Sequence, residues 1–414
     1  MATTRRSLLF GAAGVAAASL PLGLSTAHAD KSGGDHGPYV PRLARPTGRF
    51  KVGRVDLHLK DESRRDPWVP DIPYRELMIS LWYPARHGGH RERAAWVSPM
   101  LGEWINQNDE TLPRGLVDMS AVLGHALVEP PAAHGSHPVL VYGPGHFQSR
   151  TVWTIEAEEL ASHGYAVLAV DHTYEGRVEF PGGRFEDSVQ PTPEDPIGWL
   201  LKTGRTWVDD AGTALAALDT LAAGGNPDAD GKPIPSGLSR TIDMSRIGAF
   251  GAAVGSGMGA MQLAYDNDRV QAVYSGDSWL SFDTGDGREP IVTFHERGLR
   301  QPLLVMRPTN EYRDVCPYYD PFFDKCDGPK WELELRGTGF MSQSDLQALL
   351  PDAGHALDLP DDEFAHLIGN IEPRASIAAQ RAYARAFFDC HLRGRDGELL
   401  DGPSPRYPQV RFAR

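Results

Sequence analysis

Cysteine is scarce in this sequence, which has only three among 414 residues. A disulfide scaffold is therefore excluded, and the fold must rest on the packing of apolar side chains. Basic residues are also in the minority, since 41 Lys and Arg stand against 55 Asp and Glu and the formal net charge is -14. Because no run rich in Lys or Arg is present either, the sequence argues against nucleic acid or an anionic lipid surface as a partner.

Apolar residues make up 41% of the chain and charged residues 23%, which is typical of globular proteins and excludes disordered and fibrous classes. Short apolar runs alternate along the chain with amphipathic helical stretches, and this alternation predicts an α/β fold with a mostly parallel central sheet and helices on both faces. The predicted buried strands are Pro138 to Tyr142, Ala166 to Val170, Arg246 to Phe250, Val270 to Tyr274 and Pro302 to Met306, after two early strands at Phe50 to Leu59 and Glu76 to Tyr83. The predicted helices are Trp153 to His163, Thr206 to Ala223, Gly257 to Ala264 and Ala375 to Leu392.

The first 29 residues have the pattern of a twin-arginine export signal. Arg5 and Arg6 precede an apolar run from Phe10 to Leu24, and Ala27 to Ala29 fits a cleavage site of small residues. The apolar run is shorter than the roughly 20 residues that a bilayer span needs and contains a proline, so an amino-terminal membrane anchor is the weaker interpretation. We expect a secreted protein that begins at Asp30 and has no stable membrane insertion.

The mature chain is predicted to consist of a flexible leader over residues 30–46 and one domain over residues 47–414. The leader is rich in Gly, Pro and His and has no periodicity. Several connections within the domain are long enough to act as lids or binding walls. These predicted loops are Arg86 to His137, Gly176 to Gly204, Gly224 to Ser245 and Pro308 to Lys330.

A glycine-flanked turn follows the strand predicted at Arg246 to Phe250. Gly251 and Gly255 stand two residues on either side of Ala253, the spacing of a nucleophile elbow, in which a strained central residue links a strand to a helix. Hydrolases of this architecture carry serine at the centre, and a methyl group can neither attack a carbonyl nor pass a proton. Ser256 is the nearest hydroxyl, but its place in the first helical turn favours a packing role. A nucleotide site is not indicated, because the G-x-G-x-x-G spacing is absent.

Five segments, in order along the chain, carry a resemblance to a known family. They are Pro138 to Gly145, Ala161 to His172, the elbow, Asp268 to Trp279, and Leu335 to Phe340. Together they resemble secreted actinobacterial α/β-hydrolases similar to platelet-activating factor acetylhydrolase. The resemblance covers most of residues 50 to 392, and it implies an α/β-hydrolase fold and descent from carboxylic and lipid ester hydrolases.

The resemblance also implies a place for each catalytic group of a serine hydrolase. The triad acid falls on Asp277, and the oxyanion hole on the backbone N–H groups of His146 and Val254. The family's catalytic histidine lies in a Gly-Thr-x-His-x-x-x-Ser-Asp stretch, which matches residues 337–345 and puts Phe340 at the histidine position. A phenyl ring can neither accept nor return a proton, so the implied triad lacks both its nucleophile and its base.

Other polar side chains are candidates for the same pocket. His355 is an alternative triad histidine if the alignment on Phe340 is wrong, and otherwise it is an exposed loop residue. His146, His172 and Glu175 can supply acid or base groups, although His146 can also act through its N–H alone. Their number and types allow acid/base chemistry other than serine-dependent hydrolysis.

The segment from Pro308 to Lys330 is rich in aromatic residues. Tyr318 and Phe322 can line a pocket for an apolar ligand, or simply pack this segment onto the domain. Cys316 and Cys326 lie in the same segment and would form the one disulfide that export permits; three reduced thiols are the alternative.

Three hypotheses for function remain. The first, which we favour, is an exported α/β-hydrolase-fold protein that has lost the serine mechanism and either binds an apolar, ester-like small molecule or performs non-hydrolytic acid/base chemistry with Asp277 as its retained carboxylate. The second is an active ester hydrolase, seen as an inactivated variant or using His355, and the third is a binding protein without catalysis. No metal or nucleotide cofactor is expected, because no HExxH, EF-hand, CxxC or phosphate-loop pattern occurs.

Overall fold

A computed structural model describes residues 37–86, 90–190, 194–276, 292–308 and 319–414 of the chain. The predicted export signal lies outside these residues. The strands within them are β1 (Lys51–Asp61), β2 (Arg75–Ala85), β3 (Arg93–Ala95), β4 (Leu123–Val128), β5 (His137–Gly143), β6 (Ala166–Asp171), β7 (Val178–Phe180), β8 (Arg184–Glu186), β9 (Ile242–Ala252), β10 (Val270–Gly276), β11 (Leu303–Pro308), β12 (Lys330–Leu335) and β13 (Val410–Phe412).

Eleven of these strands form one sheet in the order β13-β12-β11-β10-β9-β5-β6-β2-β1-β4-β3, while β7 and β8 form a separate hairpin. The central run from β6 through β5, β9, β10 and β11 to β12 is parallel throughout. Antiparallel pairs occur toward the edges, where β2 pairs with β6 and β1, β3 with β4, and β13 with β12. The predicted α/β class and the mostly parallel sheet are confirmed.

The central strands are apolar on both faces because helices cover both. In β5, Val139 and Val141 belong to one buried cluster and Leu140 and Tyr142 to another, as the alternation of side chains along a strand requires. The helices are α1 (Pro99–Asn108), α2 (Thr154–Ser162), α3 (Pro196–Ala222), α4 (Ala253–Asp266), α5 (Tyr319–Lys325), α6 (Leu346–Ala356), α7 (Ala365–Ile368) and α8 (Pro373–Arg393).

Helices α3 and α4 supply Leu218 and Met261 to the first cluster, whereas α2 and α8 supply Leu160 and Phe388 to the second. The two pairs of helices therefore cover opposite faces of the sheet. Among the described helices, none combines the length and the apolar character that a bilayer crossing requires.

The predicted long loops contain secondary structure. The connection from Arg86 to His137 includes β3, α1 and β4, the connection from Gly224 to Ser245 includes the start of β9, and the connection from Pro308 to Lys330 includes α5. Between Gly176 and Gly204 lie the β7-β8 hairpin and the first turns of α3. The prediction that these four segments are loops is therefore wrong in part, because several of the elements are too short to show periodicity; their role as lids or binding walls stays a prediction.

Helix α3 begins at Pro196, well before the predicted start at Thr206. The side chain of Asp195 accepts a hydrogen bond of 2.9 Å from the backbone N–H of Gly198, so it caps the helix. Proline in the first turn costs no hydrogen bond, because the N–H at that position would have no helical partner. The Asp-Pro pair is the local signal that marks this start.

The described part of the leader is packed onto the domain. Tyr39 forms a β-bridge with Val117, and its hydroxyl donates a 2.9 Å hydrogen bond to Asp352 in α6. The backbone N–H of Arg42 donates to the same carboxylate, and Leu43 is buried. The expectation of a loose leader up to Pro46 is therefore wrong for its second half, because partners distant in sequence hold it.

The cysteines provide no disulfide within the described residues. Cys326 is a buried free thiol whose sulfur accepts a hydrogen bond of 3.3 Å from the backbone N–H of Leu299. Cys390 is also free and half-buried. Cys316, the partner in the predicted bridge, lies outside the described residues, so the bridge stays a prediction.

The stability of the protein should depend on pH through Glu156 in α2. Burial raises the pKa of Glu156 to about 8, and the charge of Arg381 only partly offsets this effect. A carboxyl group whose folded pKa lies above its unfolded value near 4.3 opposes folding once it ionises, so this group should lower stability as pH rises from about 5 to 8. We expect Glu156→Gln to raise the free energy of unfolding by on the order of 2 kcal/mol at pH 8 and by little at pH 5, in urea titrations.

Glu159 on the same helix provides the matched control. Burial alone would raise its pKa, but the hydrogen bond with His163 and the charge of Arg381 lower the pKa of Glu159 to about 2. Its ionised form therefore stabilises the fold above the unfolded pKa, and that contribution is lost as pH falls toward 2. Glu159→Gln should destabilise the protein at pH 8, and an equal pH dependence in both variants would contradict the assignment for Glu156.

Candidate functional site

The carboxyl ends of the parallel strands meet at one edge of the sheet, where ligands of open α/β sheets bind. In the β5-β9 pair, Gly143 lies opposite Gly251. In the β9-β10 pair, Ala252 lies opposite Gly276. The last residues of β5, β9 and β10 therefore lie side by side, and the segments that follow them surround one site.

The direct strand-to-helix junction that the predicted elbow requires is present in the backbone. Strand β9 ends at Ala252 and α4 begins at Ala253 with no residue between them. A Cβ atom on Gly251 would overlap the side chain and the backbone of Ser256, so the close approach of strand and helix requires glycine here. Ser256 is buried, and its hydroxyl donates to the carbonyl oxygen of Gly143, which confirms its packing role.

Residue 253 occupies the amino terminus of α4. The first four backbone N–H groups of a helix have no partner within the helix, so the N–H of Val254 faces the same end of the sheet as a donor. The predicted triad acid, Asp277, follows Gly276 in the chain and lies outside the described residues. Its role stays a prediction.

The loop that carries Phe340 follows β12, and Asp345 anchors it. The buried carboxylate of Asp345 accepts a hydrogen bond of 2.8 Å from the indole N–H of Trp96 and bonds of 2.9 and 2.8 Å from the backbone N–H groups of Thr154 and Ile155. The last two are the first residues of α2, so Asp345 satisfies N–H groups that have no helical partner. The Ser-Asp end of the motif thus ties the loop to the start of α2.

Gln343 ties the same loop to the ends of two strands, and no sequence signal identified it beforehand. Its amide donates a 2.8 Å hydrogen bond to the carbonyl of Met306 in β11 and accepts one of 3.0 Å from the hydroxyl of Tyr274 in β10. A Cβ atom on Gly276 would overlap this amide. The loop therefore lies directly over the strand ends at which the site is built.

Phe340 lies in this loop with 40% of its surface exposed. The next residue, Met341, contacts the side-chain amide of Gln148 at 3.7 Å, and the same Gln148 side chain accepts a 3.0 Å hydrogen bond from the backbone N–H of Gly145. The Phe340 loop therefore contacts the loop that carries the predicted oxyanion donor His146. Among the described residues, the backbone N–H of His146 has no hydrogen-bond acceptor.

His355 lies in the last turn of α6, where 73% of its side chain is exposed. Its nearest charged partner is Asp361, at 3.7 Å, and that carboxylate is itself exposed. The structure thus gives this histidine a solvent-facing helical position, without a contact to the elbow among the described residues. Its proposed place in a triad stays without structural support.

His146 and Glu175, in the loops that follow β5 and β6, are joined by a hydrogen bond. The Nδ1 atom of His146 lies 2.8 Å from a carboxylate oxygen of Glu175, which is fully buried and also accepts a 3.4 Å hydrogen bond from the backbone N–H of Phe147. Phe147 and Tyr174 both have positive φ angles, of 59° and 68°. Non-glycine residues rarely adopt this conformation, and such strain clusters at functional sites.

His172 belongs to a different and largely buried network. Its Nδ1 atom lies 3.0 Å from Asp210, which also accepts hydrogen bonds from Arg75 and Arg64. Burial alone would raise the pKa of Asp210, but the charge of Arg75 and the hydrogen bond with His172 hold it well below its usual range. A cavity of about 20 Å³, enough for one water, separates His172 from Ser256.

Aromatic rings surround His146. Its ring centroid lies 4.5 Å from that of Trp207 and 5.3 Å from that of Trp199, and Phe147 stacks on Trp199 at 5.4 Å. The two tryptophans belong to α3, and Trp207 lies 3.8 Å from the place of a Cβ atom on Gly259 in α4. These rings form an apolar wall between the oxyanion loop and the elbow helix, which sequence reasoning missed.

The predicted aromatic pocket residues do not form such a wall. Phe322 is 1% exposed and packs edge to face against Phe294 at 5.0 Å, so it joins α5 to the core instead of lining an open pocket. Tyr318 lies outside the described residues. Within the described ranges, no group of three or more His, Cys, Asp or Glu side chains is arranged to hold a metal ion.

The known proteins that this chain resembles are esterases. No protein-family model matches the chain. A probable 1-alkyl-2-acetylglycerophosphocholine esterase from Arthroderma benhamiae is 25% identical over an alignment of 401 positions, which covers 89% of this chain and 93% of that protein. Among solved structures, a ferulic acid esterase from Streptomyces cinnamoneus is 31% identical, with a TM-score of 0.72 over 90% of this chain and 99% of that chain.

Proposed function

We propose, from the premise that this chain belongs to the α/β-hydrolase family of esterases, that it uses an ester hydrolase scaffold without the serine-triad mechanism. The observation that carries the proposal is the alanine at position 253, where β9 enters α4. An acyl-enzyme requires an oxygen or sulfur nucleophile at this position. Alanine cannot supply one, so covalent catalysis through the elbow is absent.

The second substitution supports the same conclusion. Asp345 and Gln343 hold the loop after β12 through five hydrogen bonds to α2, β10, β11 and Trp96. This anchoring fixes the position of the loop relative to the ends of the strands. With phenylalanine at the position of the triad base, a serine at the elbow would also lack the histidine that accepts its proton in the triad mechanism.

In this proposal the protein keeps the backbone donors that bind the carbonyl oxygen of an ester. The backbone N–H groups of His146 and Val254 would donate to its oxygen. Within the aromatic wall Trp199 and Trp207 are buried and Phe147 is half-buried, so Phe147 is the ring that would contact an apolar or aryl group. The ligand class that we propose is a small, apolar ester. The name of the ferulic acid esterase makes an aryl ester the first choice of probe.

Export is part of the proposal. The paired arginines, the short apolar run and the small-residue site in residues 1–29 support secretion through the twin-arginine route.

Covalent labelling and ligand binding test this function. We expect the purified wild-type chain to remain unlabelled by a fluorophosphonate probe and to release no burst of p-nitrophenol from p-nitrophenyl butyrate. Methyl ferulate should quench tryptophan fluorescence saturably, and Trp207→Phe should lose about half of that quenching because the ring lies at the proposed wall. Trp331→Phe is the matched control, since Trp331 packs against α8 on the other face. Stoichiometric labelling of the wild-type chain would overturn the proposal.

A further inference from the structure

The pair of His146 and Glu175 has the arrangement of a catalytic dyad. One imidazole nitrogen is held at 2.8 Å by a carboxylate that is fully buried. The other, Nε2, has no hydrogen-bond partner among the described residues, and the side chain remains 16% exposed. A buried carboxylate that orients a histidine, whose second nitrogen is open, is the arrangement that general base catalysis uses.

Two further observations indicate that this pair is more than a structural contact. The second carboxylate oxygen of Glu175 is buried without a hydrogen-bond partner in the described part of the chain, a costly state for a charged group. Positive φ angles at Phe147 and Tyr174 place strain in both loops that carry the pair. A purely structural hydrogen bond needs neither feature.

The number of hydrogen-bonded ring nitrogens distinguishes His146 from a buried histidine, His58. His58 uses both of its ring nitrogens, at 3.0 Å from Asp230 and 2.9 Å from Glu76, so it has no nitrogen left for a substrate. His146 keeps one nitrogen open on the loop that follows β5, next to the elbow strand β9.

We propose that His146 is a general base that activates water for direct hydrolysis of an ester bound at the elbow, with Glu175 as its positioning residue. This inference rests on the proposed function, because the water replaces the serine as nucleophile. The water oxygen forms the bond to the carbonyl carbon while its proton passes to Nε2, and the carbonyl oxygen takes the electron pair of the double bond. That oxyanion is stabilised by the N–H groups of His146 and Val254. The ester C–O bond then breaks, and the proton on Nε2 passes to the leaving alcohol.

Steady-state kinetics of the full chain with p-nitrophenyl butyrate test this step. The wild-type chain should turn over the ester above the uncatalysed rate, without a burst, and about two-fold more slowly in D2O because a proton moves in the rate-limiting step. His146→Asn keeps the backbone N–H and should lower kcat about 100-fold. Glu175→Gln should lower kcat about 10-fold at unchanged KM, since it alters the base and not the binding wall.

His163→Asn is the matched control, because His163 also pairs with a buried glutamate, Glu159, at 3.0 Å but lies at the end of α2. The kcat of the His163→Asn variant should equal that of the wild-type chain. Added imidazole should restore part of the activity of His146→Gly, an effect that a structural role for the ring does not produce.

The two proposals fail in different ways. Wild-type turnover no faster than the uncatalysed reaction, or an unchanged kcat in His146→Asn, would overturn the dyad and leave the proposed function standing. A burst together with fluorophosphonate labelling would overturn the proposed function itself.

Discussion

Ala253→Ser combined with Phe340→His is expected to convert the chain into a serine esterase, with a kcat/KM for p-nitrophenyl butyrate at least about 100-fold above that of the wild-type chain. The reason is that the two side chains act as a unit: serine is a weak nucleophile until a histidine removes its proton. Either single variant should therefore stay within a few-fold of the wild-type rate. Only the double variant should show a burst and stoichiometric fluorophosphonate labelling.

Asp277→Asn in the double variant is the control for the predicted acid. It should remove most of the gained activity, because the histidine would lose the carboxylate that orients it. If Ala253→Ser alone were as active as the double variant, another base would already serve the elbow. Adding His146→Asn or His355→Asn to that single variant would show which histidine is that base, and a loss with His355→Asn would mean that the match of Phe340 to the histidine position is wrong.

Arg75→Met is expected to lower the free energy of unfolding by about 3 to 5 kcal/mol. Arg75 is fully buried and donates hydrogen bonds of 2.8 and 3.1 Å to Asp210, of 2.7 Å to Asp66 and of 2.9 Å to the carbonyl of Thr173. It therefore joins the start of β2 to α3 and to the turn that leads to Glu175. Without Arg75, Asp210 would keep a buried charge with too few partners.

Urea titration at pH 7 measures this loss. Asp210→Asn added to Arg75→Met should recover part of it, because the second substitution removes the uncompensated charge. Lys60→Met is a matched control, since the ion pair of Lys60 with Glu62 is exposed to solvent and should contribute less than about 1 kcal/mol. A loss below that value for Arg75→Met would show that water reaches Asp210.

Local patterns predicted the fold and the elbow well. The glycine at position 251 is required by Ser256, only five residues away, and the buried strands are apolar because each packs against helices on both faces. Short elements such as β3, α5 and the β7-β8 hairpin were missed because three to seven residues show no reliable period.

The contacts that shape the site could not be predicted in this way. The hydrogen bond between Asp345 and Thr154 joins residues 191 positions apart in the sequence, and the one between Tyr39 and Asp352 joins residues 313 positions apart. His146 and Glu175 were both candidates, yet their pairing depends on how the loops after β5 and β6 pack, which no local pattern encodes. The aromatic wall of Trp199 and Trp207 could not be predicted either, because it forms only where α3 packs against α4.

The tight contact between Gly251 and Ser256 has a consequence for how such chains are recognised. The glycine is demanded by the bend itself, and the bend remains when the central residue carries no hydroxyl. A glycine at this place in an elbow therefore records the path of the backbone and says nothing about turnover. A genome survey that selects on the elbow glycines would group this chain with working serine esterases, and the residues at positions 253 and 340 are what separates them.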